Sequence, residues 1–285
     1  MQTIINKTVT KLKYTKARNL KRVYGSLLYF SVPNLIIFNA SEFKVSENDL
    51  IIEINNSLNS ELLIVRSSAA DEDGESDSSA GEYESVLNIP SDSPEKITTA
   101  INAVIASYEK KRGLLPEDEV IIQEMVLNTT MSGVIFTHDL NTGAPYYVIN
   151  YDDQSGTTDT VTSGNGEYAN RTLYIHRNSI DKLKSERFIK LLQAVQELER
   201  VMDSKFLDIE FALDANLTPY LLQVRAITTQ PNWNRAISKR IDATLQGVQS
   251  FVIERFKSVS GVYGETTVLG QMPDWNPVEM IGRTP

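Results

Sequence analysis

The chain has 285 residues, no cysteine, and 28 basic against 37 acidic side chains, which gives a formal net charge of −9. A chain of this length can bury a core without disulfide bonds, and the lack of cysteine excludes disulfide frameworks, zinc–thiolate sites, iron–sulfur clusters and thiol nucleophiles. The negative charge disfavours nucleic acids and anionic membranes as partners. Because the sequence has neither an apolar run of membrane-spanning length nor a signal-peptide pattern, we expect a soluble, cytoplasmic protein.

Apolar spacing in the first part of the chain predicts helices and short strands in turn. Residues 3–28 have the pattern of a basic amphipathic helix, and a short apolar stretch follows over 32–38. Residues 61–65 form an apolar run typical of a buried strand. Apolar residues then recur at helical spacing over 94–112, with a proline at the start of the predicted helix.

The second part of the chain is predicted to contain antiparallel hairpins. Residues 119–149 have the pattern of three strands separated by turns, and 181–204 form a second amphipathic helix. Two further strands are expected at 206–213 and 219–226, and a last helix at about 235–257. Helices and strands are mixed without regular βαβ alternation, so we predict the α+β class with two lobes.

The two strands expected after the second long helix carry candidate metal and phosphate ligands. Alternate side chains share a face of a strand, so Asp208 lies on the same side as Glu210, and Gln223 on the same side as Arg225. If the strands pair, the oxygens of Glu210 and Gln223 suit Mg²⁺, and Arg225 could hold a phosphate group with two hydrogen bonds. A cross-strand ion pair on a solvated face accounts for the same residues equally well.

A segment rich in small residues follows the strand that ends near Arg66. Small side chains let backbone N–H groups approach an anion, and an arginine at the strand end can neutralise it. Residues 71–77 are largely acidic, and the G-x-x-x-x-G-K-[ST] phosphate loop does not occur in the sequence. From these residues alone, an ordinary solvated surface loop is the favoured interpretation of this segment.

Other segments are less specific by themselves. A strand end at 123–126 could offer backbone groups to a purine edge, although an ordinary strand explains it too. Gly133 inside a predicted strand indicates close approach of a backbone or a ligand. His138 and His176 have no neighbours at metal-ligand spacing, and we interpret both as structural or surface residues.

Together, these segments resemble the phosphoenolpyruvate synthase and pyruvate phosphate dikinase family. The resemblance covers about residues 10–228, and the similar segments follow one another in the family's order: 16–20, 65–69, 79–88, 123–126, 132–137, and 208–210 with 223–225. The N-terminal domain of that family is an ATP-grasp fold that binds Mg²⁺ and ATP between two lobes. The resemblance therefore implies an α+β ATP-grasp fold with a nucleotide cleft. It divides the chain into a first lobe at 1–115, a second lobe with the magnesium-binding strands at 116–230, and a helix and linker at 231–285.

The resemblance also implies a role for each matching residue. Arg225 would meet the transferred phosphate, and Glu210 and Gln223 would bind Mg²⁺. Two basic residues would contact ATP phosphates, Lys16 and Arg66, and four residues would hold the adenine, Gln123, Glu124, Met125 and Val126. The other residues implied for the nucleotide site are Ser79, Gly81, Thr137 and Asp159, the last of which stands where the family usually has glutamate.

The implied reaction is phosphoryl transfer from ATP to a carrier histidine. The family's T-S-H motif for that histidine does not occur in this sequence, so we expect a swivelling phosphohistidine domain and an acceptor-binding domain elsewhere as partners. Residues 158–164 and 271–282 resemble a branch found in bacterial polysaccharide gene clusters. Its glutamine kinases phosphorylate the glutamine amide nitrogen for capsular phosphoramidate and release AMP and phosphate.

Three other functions are compatible with the same resemblance. A phosphoenolpyruvate synthase-type or antibiotic phosphotransferase would use another acceptor, and a ligase-type ATP-grasp enzyme would form an acyl phosphate and ADP. A regulatory module would bind nucleotide without catalysis. Loss of the catalytic residues would favour that module, but Glu210, Gln223 and Arg225 are all present.

Overall fold

The computed structural model describes residues 15–69, 83–156, 171–227 and 236–255. The chain divides into two compact units, Met1–Trp233 and Asn234–Pro285. Two antiparallel sheets, four helices and two short 3₁₀ segments are described in the first unit, and one helix in the second. Antiparallel sheets mixed with helices confirm the predicted α+β class.

The first sheet has four strands in the spatial order β1-β4-β2-β3. Each neighbouring pair is antiparallel. The strands are β1 (Leu35–Asn39), β2 (Leu62–Ser68), β3 (Ser85–Pro90) and β4 (Glu119–Glu124).

Helices α2 (Phe43–Ser57) and α3 (Pro94–Lys111) share one hydrophobic core with this sheet. Alternation along β2 and β4 sends Leu63, Val65, Val120 and Ile122 into that core, where they meet the apolar stripe of α3. The other face of β2 and β4 carries Arg66, with Ile121 opposite it on β4. Arg66 therefore points away from α2 and α3.

The second sheet has five strands in the order β7-β6-β5-β8-β9, and it is also fully antiparallel. Its core contains apolar residues from β5, β6, β8 and β9 together with α1 (Lys16–Val23) and α4 (Glu186–Met202). The strands are β5 (Thr129–Phe136), β6 (Tyr146–Asp152), β7 (Arg171–His176), β8 (Leu207–Asp214) and β9 (Pro219–Ala226).

Gly133 occupies a crowded position in β5. A Cβ atom at this residue would overlap the backbone carbonyl oxygen of Asn150 on the paired strand β6. The close approach that the sequence indicated is therefore confirmed, and the approaching group is the backbone of β6.

The second unit is described over one helix, α5 (Ala236–Arg255), which agrees with the helix predicted at 235–257. Three of its larger apolar side chains, Leu245, Val248 and Phe251, are exposed to between 41% and 54%. Among the helices of the described ranges, none is long and apolar enough to span a membrane.

The structure differs from the sequence expectations at three places. The helix predicted over 3–28 ends at Val23, where Tyr24 adopts a non-helical ψ of 125° and Gly25 a positive φ of 72°; residues 3–14 lie outside the described residues. Helix α2 and strand β3 were not predicted. Strand β4 pairs with β1 and β2, so the first sheet extends past the expected lobe boundary at 115/116 to Glu124.

Candidate nucleotide site

Strands β8 and β9 form the hairpin that the sequence predicted. Their register places Asp208 opposite Arg225 and Glu210 opposite Gln223. Asp214 organises the turn, since its carboxylate accepts hydrogen bonds from two backbone N–H groups within the turn. The register shifts just after Glu210, so Leu222 is an extra residue on β9.

The polar residues of this hairpin lie on the face opposite the core. Ile209 and Val224 are fully buried in the core shared with α1 and α4. Because neighbouring residues on a strand alternate in direction, Glu210 and Gln223 point to the other side of the sheet. The convergence of an acid, an amide and an arginine on one face is therefore present.

Arg66 on β2 of the first sheet contacts this polar face. Its Nη2 atom donates to Glu210 Oε2 at 2.7 Å and to Gln223 Oε1 at 3.1 Å, and its Nη1 atom donates to the carbonyl oxygen of Leu222 at 3.0 Å. Only 14% of the Arg66 side chain and 20% of the Glu210 side chain are exposed. One guanidinium from β2 thus contacts three groups on β8 and β9.

Basic residues surround the Glu210 carboxyl group. Burial disfavours its charge and raises its pKa, but the positive charges of Arg66, Lys16 and Arg225, together with the Arg66 hydrogen bond, outweigh burial. The net result is a pKa of Glu210 below its ordinary value. Glu210 is therefore ionised at neutral pH, as a metal-binding carboxylate must be.

Arg225 is held by the carboxylate opposite it. Its Nε atom donates to Asp208 Oδ2 at 2.6 Å, and the Asp208 residue is only 8% exposed. This bond holds the guanidinium beside Asp208. A guanidinium is a group that can bind a phosphate with two hydrogen bonds.

The donor atoms fit a magnesium ion. Glu210 offers a carboxylate oxygen and Gln223 an amide oxygen, and both point at the same Arg66 nitrogen. Mg²⁺ prefers such oxygen ligands and usually keeps waters or substrate phosphates as the rest of its shell. Within the described ranges, no three His, Cys, Asp or Glu side chains converge as an all-protein metal site.

The predicted adenine segment lies at the end of β4. Gln123 is buried and shares the sheet face of Arg66, because it lies two residues from Ile121 on the same strand. The backbone N–H groups of Glu124 and Met125 donate to Asn34 and Leu62. The Val126 carbonyl oxygen accepts from Thr129.

Thr137 is fully buried and already engaged in structural hydrogen bonds. Its hydroxyl donates to the Lys205 carbonyl oxygen at 2.7 Å and accepts from the Leu207 N–H at 2.8 Å. The neighbouring His138 ring stacks on Phe206. Its Nδ1 atom lies 2.9 Å from the Lys205 carbonyl oxygen, and the ring is buried. His176 caps the 3₁₀ segment that follows β7.

Three predicted nucleotide-site residues, Ser79, Gly81 and Asp159, lie outside the described residues. The 79–88 segment of the family resemblance is described from 83 onward. Its last part, from Ser85, belongs to strand β3 and is not loop.

Sequence reasoning did not anticipate how α1 attaches to the site. The backbone N–H of Ala17 donates to Ser68 on β2, two residues after Arg66. The side chain of Asn19 donates to the carbonyl oxygen of Val224 on β9 at 3.0 Å. The available signal was a polar residue, Asn19, on the apolar face of a predicted helix.

A family model described as "Pyruvate phosphate dikinase, AMP/ATP-binding domain" matches residues 37–164 of this chain. The match supports the family resemblance and an ATP-binding role. It covers less than half of the chain and includes Arg66, the 123–126 segment and Thr137. Lys16, Glu210, Gln223 and Arg225 lie outside it.

Three solved structures with similar chain arrangement are ligases. VanG D-Ala:D-Ser ligase from Enterococcus faecalis is 15% identical, with a TM-score of 0.42 over 80% of this chain and 57% of its own. The L-amino acid ligase from Bacillus licheniformis is 12% identical, with a TM-score of 0.44 over 86% and 47%. The D-alanine-D-alanine ligase from Helicobacter pylori is 11% identical, with a TM-score of 0.40 over 84% and 58%.

This chain spans about half to three fifths of the length of these ligases. Similarity at this level says nothing about what the chain binds. No curated protein matches the sequence.

Proposed function

We propose that this chain is the ATP-binding part of a phosphotransferase of the dikinase type. The observation that supports it best is the contact of Arg66 on the first sheet with Glu210 and Gln223 on the second. Phosphoryl transfer depends mainly on positioning and on neutralising phosphate charge, and residues of these types supply both.

In this proposal, Glu210 and Gln223 would hold Mg²⁺, which would neutralise part of the phosphate charge. Lys16, Arg66 and Arg225 would bind phosphate oxygens directly. Asp208 would keep the Arg225 guanidinium in a fixed plane through the 2.6 Å bond. The 123–126 segment would hold the adenine.

Nucleotide binding is the first test. Calorimetry should show that ATP binds more tightly with Mg²⁺ than without it, and that Glu210→Gln weakens the magnesium-dependent binding by at least about tenfold, as loss of a charged ligand implies. Glu47→Gln on α2 is the matched control, because Glu47 bonds to Thr98 and lies away from the site. Equal binding by Glu210→Gln and Glu47→Gln would show that Glu210 is not part of the site.

The nucleotide product separates the dikinase from its closest alternative. A dikinase releases AMP, whereas a ligase-type enzyme that makes an acyl phosphate releases ADP. We expect AMP when the chain is supplied with a phosphohistidine carrier domain. ADP as the sole product would favour the ligase, and nucleotide binding with no turnover would favour a regulatory module.

The acceptor that we propose is the amide nitrogen of L-glutamine, in a capsular polysaccharide modification that releases AMP and phosphate. The support for it is the sequence resemblance at 158–164 and 271–282, outside the described residues. Phosphorus NMR of the complete protein with ATP and glutamine should show a phosphoramidate signal. AMP formation that does not depend on glutamine would point to another acceptor.

A further inference from the structure

Three different parts of the chain form hydrogen bonds to the outer edge of β9. β9 is the last strand of its sheet, so the backbone groups on its outer side have no strand to pair with. Near its start, the backbone of Ser31 bonds to Pro219 and Leu221. Further along, the side chains of Arg66 and Asn19 donate to the next two outward carbonyl oxygens, those of Leu222 and Val224.

The carbonyl held by Asn19 lies between two residues of the candidate site. Val224 follows Gln223 and precedes Arg225 in β9. Asn19 is 3% exposed, and its bond to Val224 is buried. A shift of this peptide group would move the proposed metal ligand and the proposed phosphate ligand together.

Helix α1 is also fixed to the first sheet, close to Arg66. Ala17 N–H donates to Ser68 Oγ at 3.1 Å, and the Ser68 N–H donates to the Tyr108 hydroxyl at 2.8 Å. Thr15, the N-cap of α1, donates to Glu119 on β4 at 2.8 Å. The helix therefore has buried attachments to β2 and β9, and its first residue is Lys16.

We propose that Asn19 is a positioning residue that holds β9, and with it Gln223 and Arg225, in register with Lys16 and Arg66. The proposal rests on the proposed function for the role of those four residues. The Asn19 carboxamide on α1 bonds to the edge of β9, the strand that carries Gln223 and Arg225. The same helix carries Lys16 and bonds to β2 two residues after Arg66. In this role Asn19 acts through β9 and not by contact with nucleotide or metal.

Hydrogen exchange tests the link without any ligand. In Asn19→Leu, which keeps a similar volume but cannot donate, the backbone of Pro219–Ala226 should exchange faster, while that of Tyr146–Asp152 on β6 stays unchanged. Tyr147→Phe is the matched control, because it also removes one buried hydrogen bond, to Glu199, away from β9. Unchanged exchange over Pro219–Ala226 in Asn19→Leu would overturn the proposal.

Calorimetry then tests the consequence for binding. Asn19→Leu should bind ATP with Mg²⁺ about tenfold more weakly, as expected for one lost buried hydrogen bond at a charged site. The loss should be smaller for magnesium-free ATP, because only the phosphate contact of Arg225 and not the metal contact of Gln223 is then affected. A general loosening of the fold would weaken both alike and would also appear in Tyr147→Phe. Equal magnesium dependence in Asn19→Leu and the wild type would overturn the positioning role.

Two further outcomes are informative. If the wild-type chain binds no Mg²⁺ and ATP, the proposed function fails, and hydrogen exchange alone decides whether Asn19 holds β9. If Asn19→Leu does not fold, Asn19→Asp takes its place, since it keeps the size but presents an acceptor to Val224. If neither folds, native-state exchange of the wild type should show α1 and β9 opening together, and separate opening would overturn the proposal.

Discussion

Two buried arginine–glutamate pairs in this protein are nearly identical in distance and differ in their surroundings. Arg66 lies 2.7 Å from Glu210, and Arg177 lies 2.7 Å from Glu199. The side chains of both pairs are exposed by no more than 20%. By contact distance and burial alone, either pair could be taken for a functional site.

The Arg177–Glu199 pair makes its hydrogen bonds within the pair and to neighbouring protein groups. Arg177 donates to both oxygens of Glu199, at 2.7 and 2.8 Å, and also to the carbonyl oxygen of Thr137. Tyr147 adds a hydrogen bond to the same carboxylate and lies against the guanidinium. Burial raises the pKa of Tyr147, which keeps its hydroxyl protonated as a donor. These contacts tie α4 and the segment after β7 to the second sheet.

The Arg66–Glu210 pair joins two sheets and has additional positive charges around its carboxylate. Arg66 makes one bond to Glu210 and shares that nitrogen with Gln223, while Lys16 and Arg225 add positive charge nearby. An excess of cations around hard oxygen ligands suits a metal with an anionic substrate. Surplus charge and a second oxygen ligand therefore distinguish the candidate site from the structural pair.

The largest expected effect is on stability, at the structural pair. Arg177→Met leaves the Glu199 charge buried without its partner, which should lower the free energy of unfolding by about 3–5 kcal/mol. Binding of Mg²⁺ and ATP, measured at a temperature where the variant is folded, should be unchanged. Chemical denaturation and calorimetry check the two parts. If Arg177→Met lost the binding of Mg²⁺ and ATP with little loss of stability, the Arg177 pair would be the functional one, which would contradict this assignment.

The pH dependence of stability gives a second effect in the same region. Burial, helped by the charge of Arg177, lowers the pKa of His138 from 6.5 to about 4. The unfolded chain therefore gains a proton between pH 6.5 and about 4 that the folded protein does not bind, so stability falls as pH falls through this window. The loss is about 3 kcal/mol, and it should be absent in His138→Asn when unfolding is followed across that range. A pH slope that is the same in both proteins would contradict a buried, neutral His138.

At the candidate site, the largest expected effect is on catalysis. Arg225→Ala should lower phosphoryl transfer by about 10²-fold or more, because in the proposed function Arg225 neutralises charge on the transferred phosphate. Because the substitution also leaves the buried Asp208 carboxylate without this partner, stability should fall as well, and transfer is compared at a temperature where the variant is folded. Arg187→Ala is the matched control, since Arg187 also pairs with an aspartate, Asp153, but lies outside the candidate site. Unchanged transfer by Arg225→Ala in the complete protein would exclude Arg225 from the reaction.

The local parts of this site could be predicted from the sequence, and the long-range parts could not. The alternation of Asp208 and Glu210 with apolar residues and the turn after them fixed the β8–β9 pairing, because both signals lie within twenty residues. The contact of Arg66 with Glu210 joins residues 144 positions apart. The place of β4 in the first sheet likewise depends on strand order, which local spacing does not encode.

Burial explains two of the other omissions. Helix α2 buries only half of its apolar residues and leaves Val45 and Ile52 exposed, so its periodicity is weak in the sequence. Asn19 gives the opposite signal, because it is a polar residue on the buried face of a helix. Its partner is a backbone carbonyl group 205 positions away, and no side-chain pattern reveals such a group.

The smallest expected effect distinguishes the two pairs most sharply. Arg66 donates to both proposed metal ligands, so it would compete with Mg²⁺ for the same oxygens. Arg66→Met should therefore bind Mg²⁺ alone about tenfold more tightly than the wild type, while binding Mg²⁺ and ATP together more weakly because a phosphate ligand is lost. Calorimetric titration with the metal alone, and then with metal and nucleotide, measures the two effects.

Tighter binding of the metal alone, together with weaker binding of metal and nucleotide, would mean that Arg66 faces a metal site and a phosphate site at once. Arg177→Met is the control, because Glu199 is enclosed by Tyr147 and its own partner, and removing Arg177 should not create a metal site. Weaker binding in both titrations of Arg66→Met would mean that the arginine only supports the fold between the two sheets. Arg66–Glu210 would then be a second structural pair, and the metal ligands would have to be sought elsewhere on the polar face of β8 and β9.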